Sequence, residues 1–450
     1  PGRGYPDRMS RWETTVAPAP PAIGNPLTGL VPYASPPANR FPHSMEFRYF
    51  ALSDLMIGPR EFRWESLEQF LENVRRRGNQ AVFRVWMQYP GLPGGIPDFL
   101  LRDGLKVHRW RNTNTAPFPP ADVTTPDYSD KRLRTALVRF VEALGARYDG
   151  DPRIAYVTAG LLGTWGEWHD YPRTDLWASK AVQNEVMDSY RSCLRRTPVL
   201  LRTPAGASDP HYAPTRGRGF GYHDDSFCWA TVETGRAEDS WFFEARLRAA
   251  GELDAWRKHP IGGEIRPEAW GVVFDNKPGL KEMQPFDRCV DRTHATWLMD
   301  TGMFREQAPA PRLARAVEAV RRMGFAPQVR KVAFELAPEA GPQARVQATV
   351  EWANVGNAPH YHGWTAEARL TDAEGDVPLK FAQRPALSGI QPGQIGQWVF
   401  SIASGPVSRK VSRGARLQIR IPNPMAGGKP IRFANVGGDS TDDGWLSVTV

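Results

Sequence analysis

The apolar positions of this chain change period twice, and the changes divide it into three parts. Residues 1–45 follow neither period: VAPAPPAIGNP and YASPPANRFP are proline-rich and read as an extended arm that lies on the surface of the barrel or remains mobile. From Met45 apolar runs alternate with amphipathic stretches. MEFRYFAL reads as a strand, Leu67, Phe70, Leu71 and Val74 mark a helix, and AVFRVWMQY at 81–89 is a second strand. Leu133, Leu137, Phe140, Val141, Leu144 and Tyr148 define a long helix. The alternation continues through a strand at 154–162, a helix near 178–196, PVLLRTP at 198–204 and GFGYHDDSFCWA at 219–230. A helix near 243–257, PIGGEI at 260–265, THATWLM at 293–299 and a helix carrying Leu313, Ala316, Val317 and Val320 complete it. The stretch 90–126 is long, proline-rich and without a clear strand, a candidate cap over a cleft with His108 and Trp110 placed to meet a ligand.

Strands separated by helices imply a parallel sheet, and this number of units favours a closed (β/α)8 barrel of the TIM type over residues 46–325. No GxGxxG follows the first strand, which argues against a dinucleotide-binding fold. Beyond about Phe325 the period falls to two: Val346, Ala348 and Val350, then Ala366, Ala368 and Leu370, then QWVFSIA, ARLQIRI and WLSVTV. Residues 326–450 are therefore expected to form an antiparallel β-sandwich. Its Trp352, Tyr361, Trp364 and Trp398 are too scattered to decide between glycan binding and bracing the barrel, and bracing is the expected role.

At 450 residues the chain suits two or three domains, and 41% apolar content is ample for buried cores. Net charge is +8, but the basic residues are spread along the chain, and Arg75-Arg76-Arg77 ends a helix where cations belong. Nucleic acid is not an expected partner, whereas the positive field suits an acidic glycan as well as a neutral one. Cys193, Cys228 and Cys289 lack CxxC spacing and permit at most one disulfide. No window approaches the ~20 apolar residues of a membrane span. The chain begins at Pro1, so a leader is expected to have been removed.

The candidate chemistry concentrates in IAYVTAGLLGTWGEWH, where an apolar run ends in Glu167 between Trp165 and Trp168, with His169 next. In a parallel barrel the chemistry gathers at the C-terminal strand ends, and a carboxylate among aromatic rings suits a sugar. The plainer reading makes the tryptophans core and pairs Glu167 with an arginine. Glycosidic cleavage calls for two carboxyl groups, and Glu264 ends PIGGE, where Gly262 and Gly263 allow close approach of a ligand or backbone. An ion pair with Arg266 is the structural alternative for Glu264. Asp224 and Asp225 follow His223 as further acidic candidates, only one of which can face the pocket if the segment is extended. Arg48, Arg84 and Arg202 lie inside apolar strands, where charge is costly unless paired, and are expected to position carboxylates or hold a sugar acid. Trp86, Trp165, Trp168 and Trp297 are stacking candidates. His169, His223 and His294 lack metal-site spacing, no GxSxG is present, and neither a metal nor another cofactor is expected.

The segments NPLTGLVPY, LLGTWGEWH, LLRTP, GFGYHDDSF, PIGGEI, VEWANVGNAPHYHGW and IRFANVG occur in this order. Together they resemble a family of secreted bacterial proteins known mainly as a domain of unknown function, similar to glycoside hydrolases with a (β/α) barrel followed by a β-sandwich. The resemblance runs from about Asn25 to the end. It implies a hydrolase-like barrel in a secreted, periplasmic or cell-surface protein and supplies no substrate. The family pattern carries asparagine where this chain has Asp224. The leading expectation is thus a glycoside hydrolase acting on a poly- or oligosaccharide through Glu167 and Glu264. The alternatives are a non-catalytic carbohydrate-binding barrel and an extracellular scaffold whose cleft is filled.

Overall fold

A computed structural model of the chain describes residues 10–34, 41–276, 279–305, 307–338, 344–371, 379–404, 415–438 and 443–449. Eight parallel strands form one sheet: β1 Gly29–Val31, β2 Met45–Ala51, β3 Gln80–Trp86, β4 Ile154–Thr158, β5 Val199–Leu201, β6 Gly221–Phe227, β7 Ile261–Ile265 and β8 Trp297–Met299. Each pairs with its neighbours in the chain, and β8 returns to β1. A bridge between Tyr33 and Phe47 closes the ring, with Phe47 N donating to Pro32 O at 2.9 Å. The expected (β/α)8 barrel is therefore present.

Among the described residues six helices of eight or more residues wrap it: α1 Glu65–Arg76, α2 Lys131–Tyr148, α3 Lys180–Cys193, α4 Phe243–Ala250, α5 Phe286–Thr293 and α6 Ala310–Val320. The apolar stripes of α1 and α2 are those read from the sequence: Leu67, Phe70, Leu71 and Val74 are buried on α1, and the six residues from Leu133 to Tyr148 on α2, whereas on α6 Ala316 and Val320 are buried and Leu313 and Val317 half-buried. The β3 strand is buried along its whole length, with Val82, Arg84 and Trp86 on the side opposite Phe83 and Val85. On β2 the same alternation sends Phe47 and Tyr49 inward and Arg48 outward, where it is exposed 4.9 Å above the Phe50 ring.

Three segments differ from expectation. The arm 1–45 contributes β1 to the barrel, and Ser10–Thr15 pairs antiparallel with the sandwich, Trp12 opposite Phe334. Residues 1–9 and 35–40 of that arm lie outside the described residues. Both pieces are short, and β1 escapes the period test because it is only three residues long. The stretch 90–126 contains a hairpin, Val107–Asn112 with Ala121–Pro126, whose first strand is largely exposed while Val123 and Thr125 of the second are buried; its mostly polar sequence shows no apolar alternation. The apolar run 154–162 leaves the sheet at Thr158, and Ala159, Leu161 and Leu162 fold back beneath the loop as buried residues.

The C-terminal domain is an antiparallel sandwich. One sheet joins Ser10–Thr15, β9 Pro327–Pro338, β10 Ala344–Asn354 and β12 Ile395–Ser404, and the other contains β11 Glu367–Thr371, β13 Arg416–Arg420 and β14 Leu446–Thr449. Trp352 and Trp398 stack in its core at 4.5 Å, and Trp364 is buried beside them. His362 Nε2 meets the Ala155 carbonyl at 3.0 Å, and its ring lies 5.5 Å from Tyr156, so the sandwich seals the barrel's N-terminal end. Trp297 stacks on Tyr156 at that same end, fully buried, and not at the mouth. The C-terminal ends of the strands, where the chemistry of such barrels gathers, lie at the opposite end.

Candidate active site

Arg84 organises the mouth of the barrel. Its side chain is only 2% exposed, yet every nitrogen finds a partner. Nε donates to Thr158 Oγ1 at 3.1 Å, Nη1 to Tyr49 Oη and Glu167 Oε1 at 3.2 Å, and Nη2 to Asp225 Oδ2 at 2.9 Å. Burial opposes its charge, but Asp225, Tyr49, Glu167 and Glu264 more than offset that and hold the guanidinium firmly protonated. His223 Nδ1 lies 3.0 Å from Asp225 Oδ1, completing a chain from β6 to β3 to the loop after β4.

The two adjacent aspartates separate as strand alternation requires. Burial would raise Asp225, but Arg84, His223 and Arg202 hold its carboxyl far below the usual range. Asp224 instead accepts from Ser226 N at 3.0 Å and Thr231 Oγ1 at 2.8 Å, and burial pushes it up to about 6. His223 is lowered to about 4, first by burial and then by the arginines, and is neutral near pH 7. Arg202, half-buried at the end of β5, sits 3.5 Å from Asp224 and 3.8 Å from Asp225.

Glu167 rides on a coiled loop in which Leu161, Gly163, Trp165, Gly166 and Trp168 all take positive φ. For the non-glycine residues this conformation is strained, and the loop's own hydrogen bonds fix it: Leu161 N to Val85 O at 2.7 Å, Thr164 N to His169 O at 2.8 Å, Trp165 N to Gln88 O at 2.9 Å. The Glu167 carboxylate faces Arg84 on one oxygen and His169 Nε2 at 3.6 Å on the other. The pairing with an arginine foreseen as the plainer reading thus occurs, inside the mouth.

Glu264 projects inward from β7 under opposite conditions. It is 7% exposed, and among the described residues no hydrogen bond or ion pair reaches its carboxyl; Arg266 pairs with Glu268 at 2.8 Å instead. Burial first, then the negative charges of Asp225 and Glu167, push it well above the ordinary range, Arg84 and Arg266 offsetting only part. The preceding glycines make this position possible. A Cβ on Gly262 would fall 2.2 Å from the Trp297 ring, and one on Gly263, at φ +146°, 2.1 Å from the Asp224 carbonyl.

Of the other expected site residues, Trp165 and His169 line the mouth, 6.1 Å apart. Trp168 is core: 3% exposed, its Nε1 bonds the Ala159 carbonyl at 2.9 Å. Arg48 and Trp297 lie away from the mouth, for the reasons given above. His294 is remote as well, stacked 3.5 Å from Trp256. His108 is exposed on the hairpin, and Trp110 Nε1 bonds Thr125.

Three tyrosines complete the rim and were missed in the sequence. Half-buried Tyr33, Tyr49, Tyr89, Trp165 and His169 follow one another with ring centroids 6.2, 5.8, 6.4 and 6.1 Å apart. Burial together with Glu264 and Glu167 raises Tyr89 to about 12, which places its hydroxyl in the same field as the two glutamates. Tyr33 and Tyr89 sit just past the ends of β1 and β3 and Tyr49 near the C-terminal end of β2, and those positions were the available signal. Among the described residues no group of three or more His, Cys, Asp or Glu side chains is arranged to hold a metal, the cysteines are free thiols, and no helix is long and apolar enough to cross a membrane.

No family model matches the chain, and no curated protein matches it. Solved structures with a related outline include the catalytic domain of β-amylase from Paenibacillus polymyxa, at 6% identity and TM-score 0.42, covering 66% of this chain and 99% of that one. A GH5 xyloglucan-specific endo-β-1,4-glucanase from a metagenomic library, in complex with cellotriose, has 9% identity and TM-score 0.34, covering 61% and 82%. An Arthrobacter globiformis isomalto-dextranase complexed with panose has 9% identity and TM-score 0.36, covering 88% and 76%. Likenesses this distant carry nothing over to the chemistry of this chain.

Proposed function

We propose that the protein is a glycoside hydrolase that cleaves poly- or oligosaccharides with Glu264 as proton donor and Glu167 as the ionised partner. The observation that carries this reading is the asymmetry of the two glutamates: Glu167 is tied to a buried guanidinium, whereas Glu264 is buried without a partner. Glycosidic cleavage requires that division, one carboxyl keeping its proton for the leaving oxygen and one keeping its charge for the anomeric carbon. As the bond from the anomeric carbon to the leaving oxygen breaks, Glu264 gives its proton to that oxygen. Glu167 meets the positive charge growing on the ring, as nucleophile or as base toward water. Arg84, itself fixed by Asp225 and Thr158, holds Glu167 in place, and the aromatic rim supplies faces for sugar rings.

The test is to incubate the protein with neutral and acidic polysaccharides and aryl glycosides, beside Glu167→Gln and Glu264→Gln, reading released sugar by mass spectrometry. Release by the wild type, lost or strongly reduced in both folded variants, supports the proposal. Binding of a glycan without release contradicts it and favours a carbohydrate-binding barrel.

A further inference from the structure

Beneath the loop that carries Glu167 lies a buried polar cluster that the proposed chemistry leaves unused. Asp170 is 1% exposed, and its Oδ1 accepts from Gln88 Nε2 at 2.6 Å and from Thr164 Oγ1 at 3.4 Å. Gln88 Nε2 also reaches Tyr128 Oη at 3.0 Å, while its Oε1 accepts from Thr125 Oγ1 and its backbone carbonyl from Trp165 N. Tyr128 Oη accepts from Gly163 N at 2.8 Å. Asp170 thereby joins the end of β3, the hairpin and the two sides of its own loop.

The surroundings suit a neutral acid. Among the described residues no ion pair reaches Asp170, and its Oδ2 is buried without a partner. A carboxylate charge left there would be stabilised by neutral donors on one oxygen only. Burial pushes the group up to about 8, and the Gln88 and Thr164 donors offset only part of that. Among the described residues no cation pairs with it: Asp175 repels a charge, Tyr128 and Tyr212 are raised mainly by burial, and His169 Nε2 turns toward Glu167.

We propose that Asp170 is a positioning residue for Glu167: its neutral carboxyl latches the 160–170 loop to the end of β3, and ionisation of that carboxyl loosens the latch. The latch stands on the geometry of the cluster. Its consequence for turnover rests on the hydrolase reading.

Linkage fixes the pH course. In the closed loop Asp170 keeps its proton up to about 8, whereas in a loop opened to water it ionises at the ordinary value of about 4. Loop opening therefore grows about tenfold per pH unit between those values, and levels off above them. The grip is strongest in acid.

Hydrogen exchange on the full chain from about pH 5 to 9, corrected for intrinsic rates and referenced to α3, reads this opening without any substrate. The wild-type amides of 160–170 should lose protection about tenfold per pH unit up to about pH 8 and then plateau. Asp170→Asn, which keeps the shape of the neutral acid, should show no such slope. A flat wild-type profile overturns the proposal, as does an equal slope in Asp170→Asn; if that variant does not fold, the wild-type profile alone decides. A sloping profile with no sugar released from any substrate would retain the latch and remove the hydrolase reading, so the two fail separately.

Discussion

Replacing Arg84 with methionine removes the cation that joins both sides of the mouth while nearly preserving side-chain length. Two carboxylates lose it: among the described residues Asp225 retains His223 at 3.0 Å and Arg202 at 3.8 Å, but Glu167 retains only His169 at 3.6 Å. At roughly 4 Å and an effective dielectric constant of about 20, each ion pair is worth about 4 kcal/mol before desolvation. Removing one partner of a buried pair costs about 3–5 kcal/mol, because the orphaned charge remains. We expect a loss of that order at neutral pH, read as a lower thermal and denaturant midpoint, with Arg84→Lys recovering part of it because an ammonium replaces the charge but not the fork. The loss must shrink in acid. The depressed Asp225 carboxyl contributes stability that is fully present above the unfolded value of about 4 and fades as pH falls below it, so protonation removes what the variant lacks. Equal stability of wild type and Arg84→Met at neutral pH, or a deficit that persists unchanged near pH 3, would refute the reasoning.

Three further outcomes rest on the same environments. Glu264→Gln should gain stability on the wild type as pH rises above about 4, since the native acid holds its proton while the unfolded chain releases it; each unit of the raise is worth about 1.4 kcal/mol, and melting curves at two pH values check it. Trp168→Ala should cost about 3–5 kcal/mol of stability, whereas Trp165→Ala on the rim should leave melting nearly unchanged and weaken glycan binding by about 1 kcal/mol, measurable by calorimetry. His360 and His362, lowered to about 3 and 4 chiefly by burial at the sandwich–barrel junction, bind protons only once unfolded; moving from pH 7 to 5 should remove on the order of 2 kcal/mol for each, and His362→Gln should about halve that slope.

The barrel was readable because buried strands and one-sided helices impose different periods, and β3 and α2 follow theirs without interruption. The elements that escaped have physical excuses. β1 is three residues inside a proline-rich stretch, and the 107–126 hairpin buries little apolar surface beyond Val123 among mostly polar residues, so neither makes an apolar pattern. At the site, a charge inside an apolar run marked both Arg84, whose side chain lies among the mouth carboxylates, and Arg48, whose side chain lies outside the barrel. Both have apolar neighbours, and the parity that sends one inward and the other outward depends on a register the sequence does not display. Trp165 and Trp168 look equivalent in TWGEW, but positive φ at both turns one ring to the rim and the other into the core. The convergence of Glu167, Arg84 and Asp225 joins residues 58 or more positions apart in three separate units, and no local pattern records it.

The central claim, that Glu264 supplies the proton and Glu167 the charge, is tested most directly by leaving-group dependence. Once a glycone is identified, its 2,4-dinitrophenyl glycoside, whose departing phenolate needs no proton, is compared with its alkyl glycoside in each glutamine variant. The account predicts that Glu264→Gln still releases dinitrophenol at near the wild-type rate but no longer cleaves the alkyl glycoside, while Glu167→Gln loses both. The opposite pattern, with dinitrophenol release surviving in Glu167→Gln and lost in Glu264→Gln, would contradict it.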